Sequence, residues 1–461
     1  MQINLDQARK RAKELVRSGR AATLAEAQRQ IAAQLGYESW PKLVHAFDPS
    51  TLVERFVTYA GERGGATAST PHRALELLDS FPAIRTDPWV ALTLGDASAV
   101  RDAAAPGGPL ARPPLFYVAR SRVAAETITA ARDLLSRGAD PNGPGGEEWT
   151  NLSIACARGD EPLVRLLLDA GAEPNDNDSL YHSVEPRDNG CLRLLLQRGA
   201  IESGTAALHH ALDYERLEPV RLLLEHGADP NESDDWPALH HAVFRGRSPA
   251  FARLLVKHGA DLAARDGKGR TAYQHAIRRG LADVAETLRE LGSPTELTDA
   301  DRALNAIATG GRVDAAALDA DAADVLIELA MTNAQTLARV VDAVGPTFSA
   351  QWGGGPRGTL LHQAAWFGRV ELVELLLQRG ADPNATVETE YATPLGWAAV
   401  GSRYTPDHPN DSFSAPDADY VGIARLLVDA GATIEFKDVE MATSPLSEWL
   451  AKVLETQHGN P

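Results

Sequence analysis

Residues able to do chemistry gather in one stretch near the C-terminus. Positions 402–419 read SRYTPDHPNDSFSAPDAD and hold Arg403, Tyr404, Asp407, His408, Asp411, Phe413, Asp417 and Asp419, with Tyr420 next. Carboxylates beside a titratable imidazole are what general acid–base catalysis uses. Aromatic rings with an arginine equally suit the energetic centre of a protein interface. Trp352, Trp366 and Trp397 stand nearby in sequence. The expected binding set is Trp352, Trp366, Trp397, Arg403, Tyr404, Asp407, His408, Asp411 and Tyr420. Within it Arg403 is expected to pair with a carboxylate, and no residue is given a catalytic role.

Three other groups compete for attention. His209-His210 and His240-His241 recur in the same local phrase, and two imidazoles at matched positions could hold a metal. A metal needs more ligands, and helices stacked about 8–10 Å apart would let two such imidazoles share one only with strained side chains, so no metal site is expected. Cys156 and Cys191 are too few for a disulfide framework or a Cys-based zinc site; they read as small buried hydrophobes of a reducing cytoplasm. Arg9, Lys10, Arg11, Lys13, Arg17 and Arg20 make the first helix basic, and residues 1–47 hold eight Lys/Arg against four Asp/Glu. Such a helix could touch nucleic acid. Most basic amphipathic helices, however, simply present a solvated face, and the whole chain carries a net charge of −18.

These residues need elements to hold them. The chain has 461 residues, 44% of them apolar and 23% charged, the balance of a folded globular protein. No apolar run is long enough to span a bilayer, and the N-terminus lacks a signal-peptide core. A phrase recurs instead: LLSRGADPN (134–142), LLLDAGAEPN (166–175), LLLEHGADPN (222–231) and LLLQRGADPN (375–384), with variants at 194–202, 254–262 and 426–435. Its glycines fall at 138, 171, 199, 227, 259, 380 and 431. A preceding half-unit reads ALHHALDYERLEPVR (207–221), ALHHAVFRGRSPAFAR (238–253) and TLLHQAAWFGRVELVE (359–374). Leucines at i, i+3 and i+4 bury one stripe of a second helix. The glycine ends that helix in a left-handed conformation, and D-P-N turns the chain.

Together the two halves resemble the ankyrin pattern T-P-L-H-x-A…G…V-x-L-L-L-x-x-G-A-x-x-N, over roughly residues 113–293 and 357–435. The resemblance implies an all-α solenoid in which each unit buries its apolar face only by stacking on its neighbours. It also implies a structural role for His209, His240 and His362, bonding the turn before the helix. TPLGWAAVGS (393–402) departs from the pattern with Gly396 in place of histidine. Spacings of 28 at 171→199→227 imply shortened fingers. The 51-residue spacing at 380→431 implies an insertion, 402–419, between two helices, expected to fold back over the first helices.

The expected organisation is a small helical module at 1–48, a helical adaptor at 49–112, repeats at 113–295, degenerate helical repeats at 296–345 continuous with the array, and further repeats at 346–461. The module resembles one ending in G-[YF]-x-S-W-P-x-L that precedes ankyrin arrays in many bacterial proteins. Thr23 and Ser39 stand as N-caps, with Glu26 completing a capping box. The function expected is that of a cytoplasmic interaction scaffold binding a protein partner with a basic face through the concave groove. No cofactor, metal or membrane enters, and the oligomeric state stays open. Two alternatives stand beside it: an acid–base hydrolase or lyase with its site in the insertion, and a nucleic-acid-linked regulator using the N-terminal helices.

Overall fold

The computed structural model describes all residues except 1–4, 36, 62–69, 125, 144–148, 177, 234, 314, 320, 352–356, 389–390, 405–417 and 459–461. The chain forms two compact units, residues 1–207 and 208–461. Apart from one short hairpin pairing Ser349–Gln351 with Arg357–Thr359, its named elements are helices.

In the first unit, helices Leu5–Arg17, Leu24–Gln34 and Trp40–Ala46 close around Ala8, Ala12, Ala27, Ile31 and Leu43. Thr23 and Ser39 cap the second and third of these. Glu26 departs slightly from the expected box, accepting from the Ala22 N–H rather than from that of the cap residue. Helices Pro49–Gly61 and Thr70–Ser80 pack on each other, and the stacked pairs begin at Pro114–Arg120 with Thr127–Ser136. Within each unit first helices pack on first helices, as Pro114–Arg120 on Asn151–Arg158 and Ala238–Phe244 on Ala272–Arg278. Second helices pack on second, as Glu161–Asp169 on Gly190–Gln197 and Pro249–Lys257 on Ala282–Glu290. Cys156 and Cys191 are buried among them; burial pushes the Cys156 thiol well up and that of Cys191 to about 12.

Two side chains of the repeated phrase link one repeat to the next. The asparagine of G-A-x-x-N does more than tolerate a turn. Asn231 Nδ2 donates to the Gly259 carbonyl at 2.9 Å, while its Oδ1 accepts the Asp261 N–H at 2.9 Å. Asn142 and Asn175 make the same pair of bonds within the first unit. Asn384 does so to Gly431 and Thr433 across the long insertion. The histidine reaches forward as well. Nε2–H of His209, His240 and His362 donates to the carbonyls of Trp236, Arg270 and Ala392, in the turn before the next repeat's first helix. In the third of these, Nδ1 also bonds the Thr359 hydroxyl of its own turn. Where Pro237 replaces that threonine, the buried Nδ1 of His240 has no partner. Gly396 is explained by its neighbour: a Cβ there would lie 3.3 Å from Oδ1 of Asp438 and 3.1 Å from the Tyr391 Cβ.

Residues 296–345 lack both linking side chains, yet helices Asp299–Thr309, Ala322–Thr332 and Ala334–Val344 pack between Ala272–Arg278 and Leu360–Trp366. Arginines supply the links. Arg339 donates to the Ala308 carbonyl at 2.9 Å and Arg369 to the Met331 carbonyl at 2.7 Å, each a cation at a helix C-terminus. Arg278 and Asp301, both about 1% exposed, form an ion pair at 2.9 Å.

Two substitutions test the ladder. Asn231→Ala leaves two polar groups without partners and should lower stability by roughly 1–3 kcal/mol. Pro237→Thr should raise it by about 0.5–1 kcal/mol, because Thr restores an N-cap and a partner for His240. Urea unfolding of each variant against the parent measures both.

Candidate functional site

The groups that the fold brings together most densely lie on the first helices of the second unit, well before the insertion. They come from helices Ala207–Leu212, Ala238–Phe244 and Ala272–Arg278, the finger at 265–270 and helix Ala322–Thr332.

Asp213 is one centre. Its carboxylate accepts from His210 Nδ1 at 3.1 Å and His241 Nε2 at 2.9 Å and forms an ion pair with Arg245 Nε at 2.7 Å. Burial alone would raise its pKa, but the two imidazole hydrogen bonds and the Arg245 charge hold it well below the usual carboxylate range. Trp236 Nε1–H donates to Nδ1 of His241 at 3.2 Å, so that imidazole is fixed as the Nε2–H tautomer. The two imidazoles therefore converge on a carboxylate at i+3 from His210.

Asp266 is the other centre. His275 Nε2–H donates to it at 2.7 Å, and the backbone N–H groups of Lys268 and Arg270 donate at 3.0 and 2.8 Å. Arg279 donates to Nδ1 of His275 at 2.9 Å and forks onto Glu328 at 2.8 and 3.1 Å. Burial, aided by the Arg279 charge, pulls His275 down to about 4 despite its carboxylate partner, so it is neutral at pH 7. Asp266 would be raised by burial, yet its three donors keep it well below its ordinary value. Trp236 connects the centres: its ring lies edge-on to His275 at 5.6 Å and to Phe244 at 5.7 Å.

Above this floor is a cleft of about 350 Å³. Half-buried Trp236 and Phe244 face Lys268, Arg270 and Arg279 on one side and Asp321, Asp324 and Glu328 on the other. Arg270 pairs with Asp321 at 2.9 Å, whereas Lys268 sits loosely at 3.5 Å from Asp324 and 4.0 Å from Asp321. Asp235 is exposed at the rim. Chemically the cleft can bury an apolar side chain and engage a cation. It is ill-suited to proton transfer, because both nitrogens of His241 and both of His275 are already hydrogen-bonded.

The residues expected from sequence fare differently. Trp366 and Trp397 meet edge-on at 5.9 Å, and the Tyr420 hydroxyl donates to the Trp366 carbonyl at 2.8 Å. Trp397 and Tyr420 are buried, 5% and 8% exposed, and so pack repeats rather than offer a surface. Trp366 is half-buried and Arg403 exposed. Among the described residues Arg403 meets the Glu440 carbonyl at 3.5 Å rather than a carboxylate. Trp352, Asp407, His408, Asp411 and Phe413 lie outside the described residues, as does the side chain of Tyr404, so the fold-back of 402–419 does too.

Comparison with known proteins agrees with this geometry. Residues 152–234 and 208–299 match the model of ankyrin repeats in three copies, and 358–387 match the single ankyrin repeat. The chain is an ankyrin-repeat protein. The asparagine bonds reach beyond those matches, from Asn142 before them and from Asn384 to Gly431 and Thr433 after them. An ankyrin repeat-containing protein of Treponema pallidum is 50% identical over 57 residues, 12% of this chain and 19% of that protein. Human protein phosphatase 1 regulatory subunit 27 is 44% identical over 64 residues, 14% of this chain and 41% of that one. The chain thus spans well under half the length of either relative. Among solved structures, the ankyrin repeat domain of Bcl-3, a member of the IkappaB family, is 30% identical, covering 40% of this chain and 87% of that one with a TM-score of 0.35. The human ASB11 ankyrin repeat domain is 23% identical, covering 46% and 99%, with a TM-score of 0.36.

The buried imidazole gives a pH dependence of defined sign. Because His275 has a lower pKa folded than unfolded, the unfolded chain takes up a proton below about pH 6.5 that the folded chain refuses. Its contribution is complete above that pH and is lost as pH falls toward 4. His209, His240 and His362 are lowered too, chiefly by burial, and act in the same direction. Urea unfolding at about pH 7 and pH 5 should show a fall in stability, of which His275→Gln removes about 2 kcal/mol.

Proposed function

We propose that this chain is a protein–protein interaction scaffold and that its docking face is the first-helix face of the second unit, centred on Trp236 and Phe244. The fold itself supports an interaction module. The observation that carries the particular face is the joining, in one cleft, of two half-buried aromatic rings with a carboxylate, Asp324, whose one cation among the described residues, Lys268, is loosely held at 3.5 Å. Aromatic anchors in a desolvated pocket are where interface energy concentrates. A basic side chain from a partner displaces Lys268 from Asp324, beside a Phe244 ring near which the Arg279 and Arg245 guanidiniums already lie at 5.2 and 5.9 Å. A basic partner face also suits the net charge of −18, which steers such a partner in at low salt. Trp366 and Arg403 extend the same face into the last repeats. No described helix is long and apolar enough to cross a membrane. We place the protein in the cytoplasm because its two cysteines are unpaired and buried.

The acid–base alternative belongs to the insertion at 402–419, where His408, Asp407 and Asp411 lie outside the described residues. The cleft itself does not serve it, because both ring nitrogens of His241 and of His275 are hydrogen-bonded.

The test is quantitative partner capture from the native cell with the full chain. Asp235→Lys combined with Asp324→Asn should reduce the recovered partner about tenfold or more, and the parent's recovery should fall as salt rises. Glu286→Lys, on the exposed side of a second helix, should leave recovery unchanged. Equal recovery with the rim variant rejects this face.

A further inference from the structure

The first unit holds a second cleft, of opposite chemistry. It has a volume of about 510 Å³ and lies where the third helix of the N-terminal module meets helices Pro49–Gly61 and Thr70–Ser80. Its walls are Tyr37, Phe47 and Phe81, all half-buried, with Phe47 edge-on to Phe81 at 5.4 Å and 6.3 Å from Tyr37. At one side Tyr59 carries two guanidiniums on its ring, Arg55 at 5.8 Å from one helix and Arg73 at 6.0 Å from the other. Neither arginine is in an ion pair among the described residues. Glu76 also lines the cleft, and it meets His72 at 3.3 Å.

From this geometry we infer that the cleft is a docking site for an acidic peptide segment of a partner protein, with carboxylates on Arg55 and Arg73 and an aromatic or aliphatic side chain between Phe47 and Phe81. Three observations lead there. Tyr59 gathers both guanidiniums at one place, 5.8 and 6.0 Å from its ring, and among the described residues neither is paired with a carboxylate, so both forks are open to one. The volume suits one or two side chains. Charge along the chain is also uneven. Residues 1–85 hold 12 Lys/Arg against 9 Asp/Glu, a balance of +3, which leaves −21 on the remainder. An acidic segment is therefore repelled by the rest of the protein and drawn to this end. A nucleic-acid strand fits less well. Two arginines beside a glutamate do not track a phosphate backbone, and the bulk of the chain repels a polyanion.

The inference is independent of the docking face proposed for the second unit. It is tested by fluorescence anisotropy on the full chain with three labelled probes: an acidic octapeptide of aspartates flanking two phenylalanines, the same peptide with lysines for aspartates, and a thymidine octanucleotide. The acidic peptide should bind saturably and more tightly than either of the others. Arg55→Gln/Arg73→Gln should weaken it about tenfold or more. Arg17→Gln/Arg20→Gln, which removes the same charge from the exposed end of the first helix, should change it less than about twofold, and circular dichroism should show both variants folded. Because both cleft arginines lie near the Tyr59 ring, Phe81→Ala provides a second route that leaves them in place, weakening the peptide while leaving the oligonucleotide signal unchanged. Absence of saturable binding, equal loss in the two arginine pairs, or tighter binding of the oligonucleotide or the lysine peptide overturns the assignment.

Discussion

Arg278 and Asp301 are the pair on which the second unit turns. A guanidinium and a carboxylate, each about 1% exposed and 2.9 Å apart, carry a desolvation cost that hydrogen bonds must offset. Asp301 also accepts from the Thr298 N–H, and Arg278 reaches Asp319 at 3.3 Å, while its Nε is left buried without a partner. The pair pins helix Asp299–Thr309 to helix Ala272–Arg278 at the point where the repeated phrase lapses. Beside it Arg270, Lys268 and Arg279 each find a carboxylate between 319 and 328. Ion pairs thus continue a stack that asparagine and histidine build elsewhere, and they fix the acidic helix as one wall of the cleft.

The same economy explains the imidazoles. An ankyrin histidine ordinarily bonds the next turn and stays neutral in the interior, as His240 and His362 do. The second histidines of the doubled phrase are available for other use, and His210 and His241 take it up on Asp213. His275 stands in a first helix with neither the leucine nor the doubled histidine before it, and it turns to Asp266 instead. Each centre spends its donors on a structural carboxylate. The product is a polar floor of hydrogen-bonded imidazoles and carboxylates under two aromatic rings.

Much of the fold was legible because its signal is periodic. The glycine, the leucine triplet and the L-H phrase recur at spacings that permit one architecture, and the shortened fingers at 171→199→227 follow from arithmetic. The asparagine bond was hidden by its reach: residue 231 meets residue 259, and no local rule links them. The site was less legible still. Asp213, Asp266, Arg279 and Glu328 are unremarkable in sequence, and they converge only because stacking places residues about 30 to 50 apart side by side. Two signals could have led there. One is the i+3 spacing of His210 and Asp213; the other is the cluster Lys268, Arg270, Arg278 and Arg279, unusual on so acidic a chain. Trp397 misled because a tryptophan after the L-H phrase looks like a surface anchor, whereas here its ring lies between His362 and Trp366.

The central claim is that ionic links make residues 265–332 one cooperative body despite the lapse in sequence pattern. Hydrogen exchange read by mass spectrometry, comparing the parent with Arg278→Met, tests it most directly. Methionine keeps the length and apolar stem but leaves Asp301 buried without its cation. The account predicts that amides of 272–278, 299–309 and 322–332 lose protection together, while those of 420–429 keep theirs. Unchanged protection across 299–332, or an equal loss along the whole unit, would contradict it.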